Sequence, residues 1–197
     1  MGIDILKNPQ FYFKEVLEEA LKNQNIEITP EVSYYLINLL THFMETENLY
    51  KQKTENGLEY EPLAIKYHKA LTSDTLKKIT LLKETGDLSL YISGFFGESL
   101  NRSTVDISYY IGMGEAAYGS LSHTTDKDVF QNIFKELSQK FVKFVDILAE
   151  MSQNALILNN ESLLSMYDRW LKTKSARLFK KLQEEGLIPV DFSYDQQ

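Results

Sequence analysis

The chain has 197 residues, with 28 acidic and 21 basic side chains, a formal charge of −7, no cysteine, 9 glycines and 4 prolines. Its 43% hydrophobic and 25% charged residues are typical of a folded globular protein and exclude disordered and collagen-like classes. The lack of cysteine excludes disulfide scaffolds, thiolate zinc sites, iron–sulfur clusters and cysteine nucleophiles.

No segment of the sequence offers the roughly 20 uninterrupted apolar residues of a membrane helix. The stretch from Met1 to Lys7 has no basic region followed by a long apolar core, so it does not resemble a secretory signal. We therefore expect a cytoplasmic protein without integral membrane association.

Two pairs of an N-cap residue and a proline predict the first two helices. Asn8 and Pro9 mark one start, and Thr29 and Pro30 mark the other. In the second helix, apolar residues recur at helical spacing on one face and partly cover the opposite face. This pattern predicts a central, largely buried helix.

The next helices are predicted from loop composition and caps. A polar stretch over 45–59 predicts a loop, after which Pro62 opens a helix. Asp74 follows as the cap of a shorter helix, which we expect to stop at Gly86, with Asp87 starting the next one. The segment from Leu88 to Ser122 then predicts either two helices or one broken helix.

A long helix is predicted from Thr125 or Asp126 to about Gln153. Its apolar residues alternate spacings of four and three, which makes a heptad seam of Phe130, Phe134, Leu137, Phe141, Phe144, Leu148 and Met151. Such a seam packs against an antiparallel neighbour or against a partner helix, which leaves a homo-oligomer or another protein partner open. A final helix is predicted over Asn160–Glu185.

Together these elements predict a single all-α domain, a bundle of about seven to eight helices over residues 1–189. Residues 190–197 are predicted to form a flexible C-terminal tail.

Catalytic and metal-binding motifs are missing from the sequence. None of the three histidines, His42, His68 and His123, belongs to a Glu-x-x-His pair of the di-iron type. No Gly-x-Ser-x-Gly elbow or phosphate-binding glycine loop occurs either. We assign no catalytic residue, metal ligand or cofactor. An alternative is a helical-bundle enzyme whose metal site would use one histidine and three carboxylates: Glu45, Glu98 and Glu115.

The segment 86–119 holds six of the nine glycines inside predicted helix. Each interior glycine costs roughly 0.5 to 1 kcal/mol relative to alanine, so their number needs an explanation. One explanation is close helix packing along a face of Gly112, Ala116 and Gly119. The other is a ligand pocket with aromatic walls, formed by Tyr91, Phe95, Tyr109, Tyr110 and Tyr118.

Charged residues accompany these tyrosines. In a continuous helix, Glu98, Arg102 and Asp106 would lie four residues apart, so that the arginine bridges two carboxylates. In a broken helix, Asp106 would instead lie near the start of the next helix, where an acidic residue is favourable. If buried together with the tyrosines, these three residues and Glu115 would be the polar groups of the ligand site.

Parts of the chain also carry a family resemblance. The most specific pieces are Gly86-Asp87, Ser93-Gly94-Phe95-Phe96, Val105-Asp106, Tyr109-Tyr110, Gly114 and Ala117-Tyr118. They resemble a family of bacterial all-helical proteins that has no assigned activity. The resemblance implies an all-helical bacterial domain, and the proline that relatives often have at the position of Gly97 implies a helix break there.

Residues 169–181 form a basic segment with six cations and no acid, so the remainder of the chain carries −13. Its cations are Arg169, Lys172, Lys174, Arg177, Lys180 and Lys181. Such a helix suits an acidic partner, a nucleic acid or an anionic membrane surface, although the acidity elsewhere disfavours nucleic acid. The simpler explanation is that these cations pair with acidic neighbours within the fold.

The absence of catalytic motifs favours a non-catalytic protein that binds a small molecule or another protein, with a regulatory role as one form of this. The metal enzyme and the anionic-partner protein are the alternatives.

Overall fold

The computed structural model describes residues 9–43, 52–54, 57–59, 61–100, 105–125, 128–155, 163–184 and 187. The helices in these ranges are α1 Pro9–Asn23, α2 Pro30–Phe43, α3 Leu63–Leu71, α4 Thr75–Phe95, α5 Gly97–Leu100, α6 Ile107–Thr124, α7 Asp128–Gln139, α8 Phe141–Ala155, α9 Leu163–Thr173 and α10 Ala176–Glu184. A short antiparallel hairpin, β1 Gln52–Thr54 and β2 Gly57–Glu59, lies between α2 and α3. The helical fold class is therefore confirmed, with ten helices in the described part rather than seven or eight.

Helix starts that depend on local capping chemistry agree with the sequence. α1 begins at Pro9 and α2 at Pro30, and the Thr29 hydroxyl accepts a hydrogen bond from Val32 N at 3.4 Å. The Asp74 carboxylate likewise caps α4 by accepting from Lys77 N at 3.1 Å.

The predicted helix stop at Gly86 is wrong. α4 continues through this residue to Phe95, and the backbone of Gly86 lies against the Tyr118 ring of α6. A Cβ added at Gly86 would lie 2.6 Å from Tyr118 Cε1, so the glycine makes room for a tyrosine inside a continuous helix. The break comes about ten residues later, at Phe96 and Gly97.

The predicted long helix is divided at Lys140 into α7 and α8. The two parts pack against different neighbours: α7 against α6 and α2, and α8 against α4 and α1. The seam is buried from Phe134 to Met151, whereas Phe130 is 45% exposed. A straight, unbroken helix could pack against only one of these two pairs of helices, which accounts for the division at Lys140. The predicted start at Asp126 lies outside the described residues.

The predicted final helix is also divided, into α9 and α10. Between them Lys174 has a φ of 52°, the left-handed conformation that ends a helix. The N–H of Lys174 donates to Trp170 O at 2.8 Å and closes the last turn of α9. The predicted tail, residues 190–197, lies outside the described residues.

The main hydrophobic core draws on α1 to α4 and α6 to α8, with α4 packing against α2, α3, α6 and α8. A second, smaller apolar cluster belongs to α9 and α10 and centres on Trp170, Leu178 and Leu182. We call α9 and α10 the C-terminal helix pair. None of the described helices is both long and apolar enough to cross a bilayer.

Candidate functional site

The five aromatic residues predicted to wall a pocket lie in three places. Tyr91 stacks on Phe43 and Phe95, with ring centroids 4.6 Å and 5.0 Å away. Tyr109 and Tyr110 form an edge-to-face pair at the start of α6, 5.4 Å apart. The structure therefore brings Tyr91 and Phe95 together, and separately Tyr109 and Tyr110.

The fifth aromatic residue, Tyr118, is fully buried in the main core. Its ring packs against Phe134 and Phe141, with centroids 6.0 Å from each, and its hydroxyl points to Asp87. Its surroundings are thus packed side chains of the core.

The charged residues of the predicted ligand site are also divided. Asp106 is the N-cap of α6, with its carboxylate accepting from Ser108 N at 2.9 Å, so the continuous ion-pair ladder is wrong. Glu115 is exposed on α6, where partial desolvation raises its carboxyl pKa. The Glu98 side chain and Arg102 lie outside the part of the molecule that the structure describes.

Of the two glycines on the predicted close-packing face, Gly119 makes a close approach, with an added Cβ 3.2 Å from Ser138 Oγ, and Gly112 does not. The tightest approaches are at other glycines. For Gly112, no described atom lies within 4 Å of an added Cβ, whereas at Gly114 it would lie 2.1 Å from Phe141 Cζ. Gly94 similarly approaches Leu148, at 2.5 Å from its Cβ. The contacts at Gly86, Gly94 and Gly114 face the core, and the exposed Gly112 does not.

A buried carboxylate, Asp87, joins three helices of the bundle. Its Oδ1 accepts hydrogen bonds from Tyr35 Oη of α2 at 2.5 Å and from Tyr118 Oη of α6 at 2.8 Å. Its Oδ2 accepts from Lys83 Nζ at 2.6 Å, one turn earlier on α4. The same ammonium lies 5.3 Å from the centre of the Tyr35 ring.

Both tyrosines at Asp87 remain protonated well into the alkaline range. Burial raises the hydroxyl pKa of Tyr35 and of Tyr118 well above the ordinary value, and the Asp87 charge raises both further. Because both hydroxyls donate to the carboxylate, the cluster satisfies its own polar groups. The cluster therefore has a structural role, since its hydrogen bonds hold α2, α4 and α6 together.

A second buried carboxylate, Asp146 of α8, meets the start of α10. Ser175 Oγ lies 2.6 Å from Oδ1 and 2.5 Å from Oδ2, so its single hydrogen can be donated to either oxygen. The Ser175 hydroxyl also accepts from Leu178 N at 3.1 Å, which makes it the N-cap of α10. Asp146 is 7% exposed and Ser175 is 1% exposed.

Desolvation raises the pKa of Asp146 to about 6. The Ser175 hydrogen bond lowers it, as do the charges of Arg177 and Arg169 and a hydrogen bond from the Arg177 backbone, but these effects only partly offset the burial. The neutral and ionised forms of this carboxyl are therefore equally populated near pH 6.

The contact continues from Asp146 to Glu150, one turn along α8. The Glu150 carboxylate accepts from Asn23 Nδ2 at 2.8 Å and from Gln24 Nε2 at 2.7 Å, both at the end of α1. It also lies 3.7 Å from Arg177 Nε of α10. The end of α1, the middle of α8 and the start of α10 thus meet in a mainly polar contact.

The six cations of the basic segment take two roles. Arg169 is buried and Arg177 largely so, near Asp146, while Lys172 Nζ lies 2.5 Å from Asp106 Oδ2 of α6. These three attach the C-terminal helix pair to the bundle.

The other three cations, Lys174, Lys180 and Lys181, belong to the outer part of the pair. The Lys174 ammonium lies over the Trp170 ring at 4.8 Å from its centre. Lys180 has a side chain that is 76% exposed and stands 4.0 Å from Glu184. Lys181 is half-buried.

Sequence patterns gave no site role to several residues of these clusters, among them Asp146, Ser175, Tyr35 and Lys83. Ser175 carried a usable signal, since a serine three residues before an apolar helical position is a good N-cap. The pairing of Asp146 with Ser175 carried none, because it depends on how α8 and α10 pack.

The three histidines do not assemble into a site. His42, His68 and His123 are exposed on α2, α3 and α6. The described residues contain no group of three or more histidine, aspartate or glutamate side chains placed to hold a metal ion. Glu45 and the Glu98 side chain, which the metal-enzyme alternative requires, lie outside them.

Comparison with known proteins found no matching family model, no matching characterised protein and no matching solved structure. The resemblance noted from the sequence therefore gains no support, and the site must be interpreted from its geometry.

Proposed function

We propose that this chain is a non-catalytic protein-binding protein whose C-terminal helix pair binds an acidic protein partner. The observation that carries the proposal is the construction of the pair. It has its own apolar cluster around Trp170 and is joined to the bundle largely by polar and charged contacts. Polar contacts of this kind are typical of interfaces between units that function separately.

The outer surface of the pair has the chemistry that an acidic protein would recognise. Lys174 and Lys180 are exposed, and Leu171, three residues before Lys174, is 36% exposed. Lysines around an apolar side chain can attract carboxylates to the rim of an interface while the leucine is buried.

A protein partner is favoured over a nucleic acid or a membrane surface by charge. Nucleic acids carry a high density of phosphates, and the −13 on the chain outside 169–181 would repel them. A protein with a local acidic patch could approach the helix pair without facing the acidic body.

The test is equilibrium binding by calorimetry to poly-L-glutamate, to duplex RNA and to phosphatidylglycerol vesicles. The variant Lys174→Glu/Lys180→Glu should bind the acidic polypeptide at least about tenfold more weakly than wild type, because two attractive charges become repulsive. The matched control is Lys77→Glu/Lys135→Glu, which reverses two exposed lysines on α4 and α7.

Equal binding by wild type and the Lys174/Lys180 variant, or an equal loss in both double variants, would contradict the proposal. Tighter binding to RNA or vesicles than to the acidic polypeptide would replace it with a nucleic-acid or membrane function.

A further inference from the structure

In the part of the chain that the structure describes, two contacts of charged and polar side chains attach the C-terminal helix pair to the bundle. One is the ion pair of Lys172 with Asp106 at the start of α6. The other is the cluster at the start of α10, where Ser175 meets Asp146 and Arg177 meets Glu150. Because the apolar side chains of the pair form a cluster of their own, release at these two points could leave that cluster intact.

We propose that the helix pair undocks from α6 and α8 as one unit and that the protonation of Asp146 controls this step. A neutral carboxyl holds the pair docked, and an ionised one favours its release. Asp146 is suited to this role because it lies on the bundle side of the contact and faces the N-terminus of α10.

Every charged or polar group around Asp146 bears on this equilibrium. From α9 it faces Arg169, and from α10 it faces Arg177 and the Ser175 hydroxyl. From α1, Gln24 Nε2 donates to the Asp146 backbone oxygen at 3.2 Å, and Glu150 is the neighbouring acid on α8 itself. The arginines keep their charge throughout the neutral range. Asp146 is the group whose burial disfavours the ionised form, and it therefore carries the pH dependence of this contact.

The direction of the pH effect follows from linkage. Burial raises the Asp146 pKa to about 6 in the docked state, whereas a solvated aspartate ionises near 4. The docked state therefore binds the proton more tightly, and docking strengthens as the pH falls through 6. Between pH 8 and pH 5 the undocking equilibrium should shift by about tenfold.

The second attachment does not add to this effect. Desolvation tends to raise the Asp106 pKa, but hydrogen bonds from Lys172 and Ser108 outweigh it, and the pKa lies below its ordinary value. Asp106 therefore stays ionised from pH 8 to pH 5, and its ion pair with Lys172 persists over that interval.

Undocking would matter for partner binding, a consequence that rests on the function proposed above. Arg169 is 4% exposed in the docked state. Separation from Asp146 and Glu150 would let Arg169 and Arg177 face solvent, adding two cations to those already on the surface of the pair. An acidic partner would then bind the undocked state better and shift the population toward it.

The test is hydrogen exchange of the isolated full chain, followed by mass spectrometry at pH 5 and pH 8 and corrected for intrinsic rates. Peptides from 163–184 in the wild type should exchange about tenfold faster at pH 8 than at pH 5, because helices of 11 and 9 residues fray once they leave the bundle, while peptides from α2 stay protected. In Asp146→Asn this pH dependence should vanish, because the amide cannot ionise.

Two further variants make the result decisive. Asp168→Asn removes an exposed carboxylate on α9 and should behave like wild type. Ser175→Ala removes the hydrogen bond and the cap of α10, so the pair should open more at both pH values. The proposal is overturned if Asp146→Asn keeps the wild-type pH dependence, or if 163–184 opens only together with α2. Because no partner is added, these outcomes are independent of the acidic-partner test.

Discussion

At the scale of single residues, the absence of a side chain decides how closely two helices approach. Gly114 of α6 faces the Phe141 ring, which is 1% exposed and has no free space to move into. An added methyl group would overlap both Cζ and Cε2, at 2.1 Å and 2.3 Å. The bundle is thus fitted to the lack of a Cβ at this position.

The substitution Gly114→Ala should destabilise the protein by about 3 kcal/mol, because overpacking forces the ring or the helix to move. Gly112→Ala, two residues earlier on the same helix, should instead stabilise it by about 0.5 to 1 kcal/mol through helix propensity. Urea unfolding followed by circular dichroism measures both. Similar effects for the two variants would mean that the contact with Phe141 is unimportant.

The two buried carboxylates show how different neighbours produce different chemistry. Asp87 has two tyrosine hydroxyls and the Lys83 ammonium as partners within 2.8 Å. Asp146 has the hydroxyl of Ser175 as its closest partner. The charges of the two arginines lower its pKa but do not offset the effect of burial. The first carboxylate is tied into the core, and the second lies where two parts of the molecule join.

At the scale of elements, α3 depends on another helix for its start. Pro62 precedes α3 and provides no side-chain cap. The Tyr109 hydroxyl of α6 instead accepts from Ala64 N at 3.0 Å, in the first turn of α3. Along the same helix, Tyr67 Oη lies 3.0 Å from Ser120 Oγ, so polar contacts hold α3 to α6 at two levels.

The substitution Tyr109→Phe should therefore loosen the beginning of α3. We expect a loss of about 0.5 to 1 kcal/mol, the usual cost of removing a cap, and faster amide exchange at Ala64 and its neighbours. Tyr110→Phe is the matched control at the adjacent position. An unchanged exchange rate in Tyr109→Phe would show that water replaces the hydroxyl without cost.

Sequence patterns identified those elements whose ends depend on local chemistry. The starts of α1, α2 and α4 follow from Pro9, Pro30 and Asp74, since a cap or a proline acts on its own helix. The stop expected at Gly86 failed because the glycine accommodates Tyr118, which lies 32 residues away in the sequence. The division at Lys140 has no glycine or proline to mark it and depends on which neighbours α7 and α8 contact.

The arrangement of the basic segment was only partly predictable from the sequence, for the same physical reason. The basic segment was recognisable because its charge is a property of consecutive residues. Its division into attached and outward-facing cations was not, because Asp146 and Ser175 meet across 29 residues of sequence. Periodicity also could not show which of the five aromatic residues would lie together, because it gives a face of one helix and not the helix it faces.

At the scale of the whole molecule, the tyrosines at Asp87 make stability sensitive to alkali. Tyr35 and Tyr118 have raised pKa values in the folded state, so above pH 10 they ionise in the unfolded chain first. The folded state then binds more protons than the unfolded state, and stability falls as the pH rises. For two such groups the loss between pH 10 and 11 is about 2 kcal/mol.

The variant Tyr35→Phe/Tyr118→Phe should be less stable at pH 7, because Asp87 loses two donors, but its stability should change less between pH 10 and 11. Urea unfolding at several pH values measures this slope. Tyr34→Phe is the control, since Tyr34 is 67% exposed and precedes Tyr35 on α2. A slope in the double variant equal to that of wild type would exclude the two buried hydroxyls as its source.

The order of the two apolar clusters along the chain has a consequence for synthesis. Among the described residues, the main core runs from Tyr12 to Met151 and the second cluster from Met166 to Leu182. Because domains form from the N-terminus as the ribosome proceeds, the bundle can fold before the second cluster has left the ribosome. In that nascent state Asp146 has not yet met Ser175, and its carboxyl is hydrated and charged. The C-terminal helix pair then docks late in folding, and docking removes water from an aspartate that is already ionised.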